Sequence, residues 1–527
     1  MRSAALHMSK RLSRPGFSAA PVGKALAVPR ACLVVPPLEK TRERDSVAQN
    51  AEDRWQPGTG AFGSGVCTPD MRSRRCVLAL FSRLFATLPE KEAKAEKKKD
   101  DLKSYARQLW TVDNPNSDDD LDSEFSSAES ETTNVPRSSL RPLTLIDSDT
   151  ATLRQAVRRF AEEEIRPKVQ AMDDEGAIEA EVIDGLFKQG YLGMEIEEKY
   201  GGSAMPFFNS LVVIEELSRV DPSVAALVDI HSTLINRALT LYGTEEQKEK
   251  YLPQLASNML GSFCLSESES GSDAFALKAT ARRSENGDAW VLNGAKQWIS
   301  TAREAGLFLV FASYDLDQGY RGITAFLVEA GTAGLEVGPA LEKLGIKASS
   351  TCEVVLNDVQ VHDSCVLGEV GEGYKIAIRL LNEGRIGIAA QMLGLAKGAF
   401  ETAMSYMHDR HQFGRKIADF QGVQFEYAKL ATEIEAAALL TANAALLREA
   451  GQPFAKEAAM AKFKSSEVAQ KVSSACIDFV GGNGFTKAFG LEKLFRDSKI
   501  GTIYEGTSNM QLQTIAKVLQ REFSGSH

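Results

Sequence analysis

The feature that most constrains the fold of this 527-residue chain is a change in the period of its hydrophobic residues. Residues 147–256 have apolar side chains at helical spacing, with charged residues between them. Residues 261–365 contain short β-rich runs divided by glycine-containing turns, and no helix-length pattern interrupts them. From residue 374 onward the helical period returns. This order predicts an α+β multidomain protein rather than a doubly wound sheet.

Local signals support the first helical block. Gly190 follows a predicted helix over residues 179–189 and suits the left-handed C′ position. Thr244 and Gln247 have the spacing of a capping box at the start of another helix. The block therefore predicts an N-terminal α-helical domain.

The middle block has the signals of an antiparallel sheet. Asn293-Gly294 is the dipeptide most typical of a two-residue hairpin turn. Residues 307–312, 323–328 and 353–356 are rich in β-branched and aromatic side chains and predict strands. We therefore expect a middle antiparallel β domain, either barrel-like or a sandwich.

The last block predicts a C-terminal four-helix bundle. Its long helical segments cover residues 374–410, 419–450, 453–480 and 491–521, with short connections. The glycine-rich run 368–373 precedes them. It lacks the strand and the glycine order of a dinucleotide-binding motif, so we expect a plain loop there.

Composition excludes several classes of protein. The net charge of −10 and a pI near 5.4 argue against a nucleic-acid-binding protein, which is normally basic. The cysteines form no CxxC pair and the histidines no HxxxH or HExxH pattern, so neither a disulfide framework nor a metal centre is expected. No apolar run approaches the roughly 20 residues that span a bilayer, so no membrane span is expected.

The N-terminal quarter differs from the rest of the chain. Residues 1–38 contain several basic residues and no acidic one, which is typical of an organelle transit peptide, and a second arginine-rich amphipathic stretch begins at Met71. Either stretch fits a presequence, Met71 fits a start site, and the alternative is a disordered basic tail. A Lys/Glu run and an acidic stretch over residues 113–131 follow, with too few apolar residues to fold. The expected divisions are a presequence and disordered charged linker at 1–138, an N-terminal helical domain at 139–258, a middle β domain at 259–368 and a C-terminal helical bundle at 369–527.

Residues 500–511 contain the strongest candidate for acid–base chemistry. Glu505 lies between Tyr504 and Gly506, and a carboxylate is a plausible proton acceptor beside a glycine that lets a ligand come close. The alternative is that Thr507 and the polar residues after it simply cap the last helix. The two interpretations are compatible.

Several short motifs, in this order, resemble those of the acyl-CoA dehydrogenase family. They are Leu-Ser-Glu and Gly-Ser-Asp within 265–273, Trp-Ile-Ser at 298–300, Arg-His-Gln-Phe-Gly at 410–414, Gln421, Gly-Gly at 481–482 and Tyr-Glu-Gly at 504–506. The resemblance covers roughly residues 143–521. Within the family the sequence is most similar to the short/branched-chain branch, through residues 263–267, 381–394 and 499–506.

The resemblance implies an FAD-dependent homotetramer of the mitochondrial matrix that oxidises a short or short-branched acyl-CoA to its trans-2-enoyl form. In the family a carboxylate removes the α-proton, the β-hydride goes to flavin N5, and electrons pass to an electron-transfer flavoprotein. The position of that carboxylate matches Glu505, whose backbone N–H would polarise the thioester carbonyl together with a flavin hydroxyl. Fatty-acid or branched-chain amino-acid (isoleucine) breakdown is the implied pathway.

The resemblance also assigns binding residues position by position. For FAD these are Phe263, Cys264, Leu265, Ser266, Glu267, Gly271, Ser272, Trp298, Ile299, Ser300, Arg410, Gln421, Asp478, Phe479, Val480, Gly481, Gly482, Thr507, Ser508 and Asn509, with Arg410 and Gln421 reaching the flavin of a neighbouring subunit. For acyl-CoA they are Ser272, Tyr320, Tyr374, Asn382, Glu383, Gly384, Arg385 and Gly506. Without the family, Trp298 would be an ordinary strand aromatic, Arg410 and Gln421 solvated residues, Gly481 a helix C-cap and Tyr374 a packing residue.

Two positions refine the assignment. Some branches of the family carry their base immediately before the arginine that matches Arg385, and here that residue is Gly384. Glu383 lies about 100° away around a helix of 3.6 residues per turn, so Glu505 is the expected base. The acidic Glu269 replaces a small residue of the family's flavin loop, and we expect its side chain to face solvent.

Two alternatives on the same fold stay open from the sequence. An acyl-CoA oxidase would give electrons to oxygen, but such enzymes usually have a further C-terminal domain and a peroxisomal address, which this chain is not expected to carry. A catalytically silent assembly protein would have no need of Glu505. The acyl chain length and branching are left undecided, because one methylene changes binding by only about 1–3 kcal/mol.

Overall fold

The computed structural model describes residues 148–524 of the chain. The predictions for the presequence and charged linker at 1–138 lie outside the described residues. The described part begins with helices, continues with a sheet and ends with long helices. The predicted α+β fold with a helical bundle at its C-terminal end is confirmed.

The N-terminal block consists of short helices. They are α1 Ser148–Phe160, α2 Val169–Glu175, α3 Ala180–Lys188, α4 Phe207–Ser218, α5 Pro222–Asp229, α6 Arg237–Tyr242 and α7 Glu245–Ser257. Two single π-helical segments, Ala161–Ile165 and Ile230–Asn236, follow α1 and α5. Helix α4 is buried along nearly its whole length, so it forms the centre of this block.

Both predicted helix ends are present. Gly190 follows α3 with φ +75°, as expected of a C′ glycine. At the start of α7 the Thr244 hydroxyl accepts from the Gln247 N–H, and the Gln247 side chain accepts from the Thr244 N–H. The reciprocal pair is the predicted capping box.

The middle block is one eight-stranded sheet. Its strands are β1 Leu260–Cys264, β2 Thr280–Arg283, β3 Ala289–Ile299, β4 Ala305–Ser313, β5 Ile323–Glu329, β6 Leu335–Val337, β7 Cys352–His362 and β8 Val366–Leu367. The order is β6-β7-β3-β2-β4-β5-β8, with β1 beside β4. Most pairs are antiparallel, whereas β1 and β2 each pair with β4 in parallel.

The predicted hairpin turn at Asn293-Gly294 is wrong, because both residues lie inside β3. The register of β3 on β7 shifts there, and Gly294 has φ +148° in an irregular pair. A Cβ on Gly294 would lie 2.8 Å from the Ala279 Cα, so the glycine serves a close approach of two segments. The chain reverses between β2 and β3 instead, at Asn286-Gly287, where Gly287 has φ +77°.

The C-terminal block contains three long helices and two shorter ones. They are α8 Gly373–Asp409, α9 Gln421–Glu449, α10 Ala455–Val480, α11 Leu491–Ser498 and α12 Ser508–Ser524. A two-stranded ribbon of β9 His411–Gln412 and β10 Arg415–Lys416 separates α8 from α9. The run 368–373 is a loop, as expected.

The fourth predicted helix is interrupted. A 3₁₀ turn, Lys499–Thr502, and a non-helical segment divide α11 from α12. Glu505 and Gly506 both have positive φ there, which no helix accommodates. The break therefore coincides with the candidate proton acceptor.

Helix α8 ties the blocks together. Its first turns share a hydrophobic core with the N-terminal helices and the sheet, through residues such as Leu380, Leu234 and Leu307. Its later turns pack on α9 and α10 through residues such as Leu395 and Val472. One 37-residue helix thus runs from the sheet into the bundle.

Among the described residues one helix, α9, is long and apolar enough in composition to cross a membrane. Core helices of helical bundles meet the same criterion. Helix α9 packs against α8 and α10, with Leu430, Ile434 and Ala437 fully buried between them.

Candidate active site

The turn that carries Glu505 has an unusual backbone. Glu505 has φ +48° and Gly506 φ +85°, and a non-glycine residue in this region is uncommon. Thr507 begins the helix that follows: its side chain accepts from the Met510 N–H at 3.3 Å and its carbonyl from the Gln511 N–H at 3.0 Å. The helix-capping and proton-acceptor interpretations are therefore compatible.

The Glu505 side chain points at α8 where α8 has a glycine. A Cβ on Gly384 would lie 3.0 Å from the Glu505 Cδ and 3.1 Å from Oε1. The Oε2 atom is buried, and no described residue forms a hydrogen bond with it. A buried carboxylate oxygen without a partner is costly, so it marks a place where a ligand is expected.

Burial dominates the electrostatics of this carboxylate. It raises the pKa of Glu505 to about 7, whereas the positive charges of Lys462 and Arg385 act to lower that pKa. Arg385 is itself largely buried and donates from Nη1 to the Asn382 Oδ1 at 2.8 Å. A carboxyl group with a pKa near the working pH is suited to act as a general base.

A second acid, which the sequence reading missed, approaches the same point. Asp229 ends α5 just before the π-helical segment, and its Oδ1 accepts from the Thr233 hydroxyl at 3.0 Å. Burial, and next the nearby charge of Glu505, raise the pKa of Asp229 well above the usual range. The only sequence signal is a single acid in an otherwise apolar run.

Gly387, one turn along α8 from Gly384, makes room for Asp229. A Cβ on Gly387 would lie 2.6 Å from the Asp229 Cγ. Gly384 thus leaves room for the Glu505 carboxyl group and Gly387 for that of Asp229, so both groups approach the same face of α8.

Glu383 does not face this site. Its Oε2 accepts from Arg237 Nε at 2.9 Å and from Arg448 Nη2 at 2.8 Å, and its Oε1 accepts from Arg379 Nε at 3.2 Å. The carboxylate is fully buried in this arginine cluster. The side chain of Glu383 is therefore directed away from Glu505, as its position on the helix predicts.

The loop after β1 is held by a buried ion pair. Glu267 binds Lys296 Nζ at 2.7 Å and accepts from the backbone N–H groups of Lys278 and Ala279 at 2.6 and 3.0 Å. Its side chain is thus occupied within the protein and braces the loop. Glu269 is exposed, as expected.

Trp298 forms an exposed aromatic surface at the end of β3. It has φ +64°, and 59% of its surface is exposed, while the next residue, Ile299, is buried. The Ser300 carbonyl accepts from the Ser262 hydroxyl at 2.9 Å, which fixes this segment on β1. A large indole held outward by a strained backbone is an expected platform for a planar ring.

The remaining residues predicted to bind flavin lie at several places along the chain. Phe263, Cys264, Leu265 and Ser266 are in β1 and the residues directly after it, Gly271 and Ser272 are in the exposed loop, and Ser508 and Asn509 begin α12. Asp478, Phe479 and Val480 end α10, and Gly481 and Gly482 follow on the surface. Arg410 directly follows the last residue of α8, Gln421 begins α9, and both are exposed.

Arg410 is not brought to Glu505. Gly384 and Arg410 are at different ends of α8, roughly 40 Å apart at about 1.5 Å per helical residue. Within one chain Arg410 and Glu505 cannot contact the same small ligand.

Three aromatic rings pack together beside the start of α8, where Tyr320 and Tyr374 are predicted to contact acyl-CoA. The Tyr320 and Tyr374 rings are 4.5 Å apart between centroids, and Phe275 meets Tyr374 edge-on at 4.5 Å. Phe275 was not predicted from the sequence. Tyr320 stays partly exposed, so the cluster has a face open to a ligand.

The residues near β3 and α12 fit a flavin. Trp298 supplies an exposed ring surface, and the start of α12 supplies hydroxyl and amide groups. At Gly481 and Gly482 an added Cβ would meet no atom within 4 Å, so the backbone there is open to close approach. These features suit a planar ring carrying polar and phosphate groups.

Comparison with known proteins agrees with this geometry. Three sequence models match in order: the acyl-CoA dehydrogenase N-terminal domain at residues 147–259, its middle domain at 262–359 and its C-terminal domain at 371–520. The chain is 54% identical over 382 residues to the short/branched chain specific acyl-CoA dehydrogenase, mitochondrial, of Rattus norvegicus, covering 72% of this chain and 88% of that protein.

Solved structures give the same result. Butyryl-CoA dehydrogenase from Megasphaera elsdenii is 37% identical with a TM-score of 0.70, over 71% of this chain and 99% of that one. Acyl-CoA dehydrogenase complexed with FAD from Bacillus anthracis is 30% identical with a TM-score of 0.68, over 74% of this chain and 69% of that one.

The chain belongs to the acyl-CoA dehydrogenase family, whose members are FAD-dependent oxidoreductases. Within that family it is similar to the short/branched-chain type.

Proposed function

We propose that this chain binds FAD and oxidises a short or short-branched acyl-CoA to the trans-2-enoyl-CoA. The observation that carries the proposal is the Glu505 carboxylate. It is raised in pKa to about 7, its Oε2 has no partner among the described residues, and the facing helix offers only glycine at 384. Such a group can accept the α-proton of a thioester near neutral pH.

The backbone of Glu505 offers the complementary donor. No described residue accepts a hydrogen bond from its N–H, although the neighbouring carbonyl oxygens are all bonded. A preorganised N–H beside the base would polarise the thioester carbonyl as the α-proton leaves. The strained turn therefore presents both groups from one residue.

The proposed flavin site combines the groups predicted from the sequence. Trp298, Ile299 and Ser300 would lie along the ring system of the flavin. The loop after β1, together with Thr507 and the start of α12, would hold the polar edges of the flavin. The Glu267 side chain would act by bracing that loop. Bound FAD supplies the acceptor for the hydride that leaves the β-carbon.

Substrate contacts are proposed along the first turns of α8. Tyr320 and Tyr374 would border the CoA entrance, with Ser272 nearby, and Asn382, Gly384, Arg385 and Gly506 would line the reacting end. Arg385 carries a buried Nε without a partner among the described residues, which is consistent with a ligand contact.

A homotetramer is the proposed assembly, and the distance between Arg410 and Glu505 along α8 supports a flavin site shared between subunits. Arg410 and Gln421 would complete the flavin site of a neighbouring subunit, and residues 478–482 would provide further flavin contacts. Phe413 is 94% exposed and Phe425 59% exposed near these residues. Large exposed aromatics beside a proposed cofactor contact suit a subunit interface.

The cellular setting is part of the proposal. The rat relative is named mitochondrial, and the basic stretches within residues 1–138 fit a presequence, so we place this chain in the mitochondrial matrix. Electron-transfer flavoprotein would receive the electrons, in fatty-acid or isoleucine breakdown. We also retain domain bounds of 139–258, 259–368 and 369–527.

A panel of thioesters tests the proposal. Purified protein should carry FAD, and 2-methylbutyryl-, isobutyryl-, isovaleryl- and butyryl-CoA should bleach its flavin band to different extents, with the enoyl product found by mass spectrometry. A colourless protein, or a flavin that none of the four reduces, would refute it. Stoichiometric hydrogen peroxide without a protein electron acceptor would indicate an oxidase instead.

A further inference from the structure

The segment around Glu505 is held by two buried side chains that the proposed chemistry does not use. Lys462, on α10, donates from Nζ to the Tyr504 carbonyl at 2.8 Å and to the Gly506 carbonyl at 2.7 Å. Gln511, on α12, donates from Nε2 to the Glu505 carbonyl at 3.1 Å and to the Gly506 carbonyl at 2.8 Å. Three successive carbonyl groups are thus satisfied by two side chains.

We propose that Lys462 and Gln511 are positioning residues that hold Glu505 in its left-handed conformation, and that the charge of Lys462 favours the ionised Glu505 carboxylate. The inference rests on the proposed function of Glu505 as the base. It concerns residues outside the motifs that identify the flavin and substrate regions.

The backbone strain supplies the first step. A non-glycine residue at φ +48° is strained and persists only where its surroundings impose that conformation. A hydrogen bond from a charged donor is stronger than one between neutral groups. Two such bonds from Lys462, to the carbonyls on either side of Glu505, act against the strain.

The charge of Lys462 supplies the second step. Lys462 is fully buried, forms no ion pair within the described residues, and its cation is offset only by the carbonyls and the nearby Glu505. Burial lowers the pKa of Lys462 to about 7, and the charge of Glu505 acts to raise it. Each charged form therefore stabilises the other.

Other titratable groups face Glu505 as well. Arg385 approaches from α8, Asp229 from the end of α5, and Tyr504 precedes Glu505 in the same turn, with its hydroxyl on Gln391. Burial raises the pKa of both Asp229 and Tyr504, which disfavours their charged forms. Lys462 and Arg385 are the cations near Glu505, and of the charged side chains in the described residues Lys462 alone also bonds to the backbone of the turn.

The two roles of Lys462 can be separated with two variants. Lys462→Met removes the charge and both hydrogen bonds, whereas Gln511→Leu removes hydrogen bonds without changing charge. Both should increase amide hydrogen exchange in peptides covering residues 500–511, and both should slow flavin reduction by acyl-CoA. A displacement of about 1 Å can cost 10²-fold. Lys462→Arg should recover part of the rate.

The pH profile distinguishes charge from geometry. In Lys462→Met the midpoint for flavin reduction should move upward, because a nearby positive charge that favours the carboxylate is lost. In Gln511→Leu the midpoint should stay in place. Lys464→Met, on the same helix and paired with Glu433 at 3.2 Å, is the matched control and should match the unsubstituted protein throughout.

Clear outcomes overturn the proposal. If Lys462→Met leaves both exchange over residues 500–511 and the pH midpoint unchanged, Lys462 is not a positioning residue. If Glu505→Gln itself reduces flavin at the original rate, the proposed base is wrong. The exchange measurement then still reports on whether Lys462 and Gln511 hold the turn.

Discussion

The Glu505 carboxylate occupies the space that any side chain at Gly384 would require. A Cβ built on Gly384 lies 3.0 Å from the Glu505 Cδ and nearer still to Oε2, closer than non-bonded carbon atoms approach. An acid at position 384 and the present placement of Glu505 are therefore mutually exclusive. The packing of this turn therefore excludes a base at position 384 of α8, where the sequence has glycine.

The first prediction concerns Gly384→Ala. The added methyl group should displace the Glu505 carboxylate and lower the rate of flavin reduction about 10²-fold, because misplacement by about 1 Å has that effect. Overpacking should also lower stability by about 1–3 kcal/mol. Stopped-flow flavin reduction and thermal unfolding would measure the two effects.

Gly422→Ala is the matched control for this change. Gly422 is exposed near the start of α9, and a Cβ there would meet no atom within 4 Å. Replacement of a helical glycine by alanine should stabilise slightly. Equal rates for the two alanine variants would contradict the assigned contact.

The second prediction is that Glu505→Gln binds flavin normally but reduces it at least 10²–10⁴ times more slowly, the usual contribution of a general base. Glutamine has nearly the same shape and cannot accept the proton. The absorbance spectrum reports flavin content, and rapid mixing with acyl-CoA reports the rate. Glu269→Gln, in the exposed loop, should change neither, and a similar loss in both variants would argue against a specific role.

The third prediction is a pH dependence. Burial raises the pKa of Glu505 to about 7, and a base acts in its deprotonated form. The rate of flavin reduction at saturating substrate should therefore rise about tenfold per pH unit below 7 and level off above it. A flat profile between pH 5.5 and 8.5 would contradict the assignment.

The fourth prediction concerns stability and Asp229. Its folded-state pKa is raised by burial and by Glu505, so the folded protein holds a proton that the unfolded chain releases above about pH 4. The stability contribution of this group is lost as pH rises from there toward the folded pKa. Asp229→Asn cannot ionise and keeps the acceptor for Thr233, so its Tm relative to the unsubstituted protein should increase from pH 5.5 to pH 8. A difference that stays constant between pH 5.5 and pH 8 would mean that Asp229 is already ionised in the folded protein.

The fifth prediction separates two roles for Glu383. Loss of one partner from a buried ion cluster costs about 3–5 kcal/mol, so Glu383→Gln should be strongly destabilised in urea unfolding while its KM for acyl-CoA stays the same. Glu426→Gln, in an exposed pair with Lys429, should unfold like the original. Unchanged stability with a raised KM would instead support the substrate contact that the family resemblance implies.

Local signals in the sequence predicted local structure well where nearby residues decide it. The Thr244–Gln247 capping box is an example, because its two partners are three residues apart. The hairpin predicted at Asn293-Gly294 was wrong because this dipeptide suits either a hairpin turn or a close approach inside a strand. Ala279, which is far from it in sequence, packs against Gly294 and favours the strand.

The candidate site divides in the same way. The candidate base Glu505 followed from a motif, and the direction of the Glu383 side chain away from Glu505 followed from helix geometry. Asp229 and Lys462 did not, because their importance comes only from folding, which brings α5 and α10 against a turn far along the chain. The break in the fourth predicted helix was missed for the same reason, since the positive φ at Glu505 occurs where Lys462, on another helix, bonds to the flanking carbonyls.

The length of α8 has a genetic consequence. If Arg410 serves the flavin of a neighbouring subunit while Glu505 serves its own, an allele defective at one position and an allele defective at the other damage different halves of each site. Mixed assemblies of the two products would contain some sites in which both residues are intact. Two inactive alleles could then complement each other, whereas two alleles defective at the same position could not.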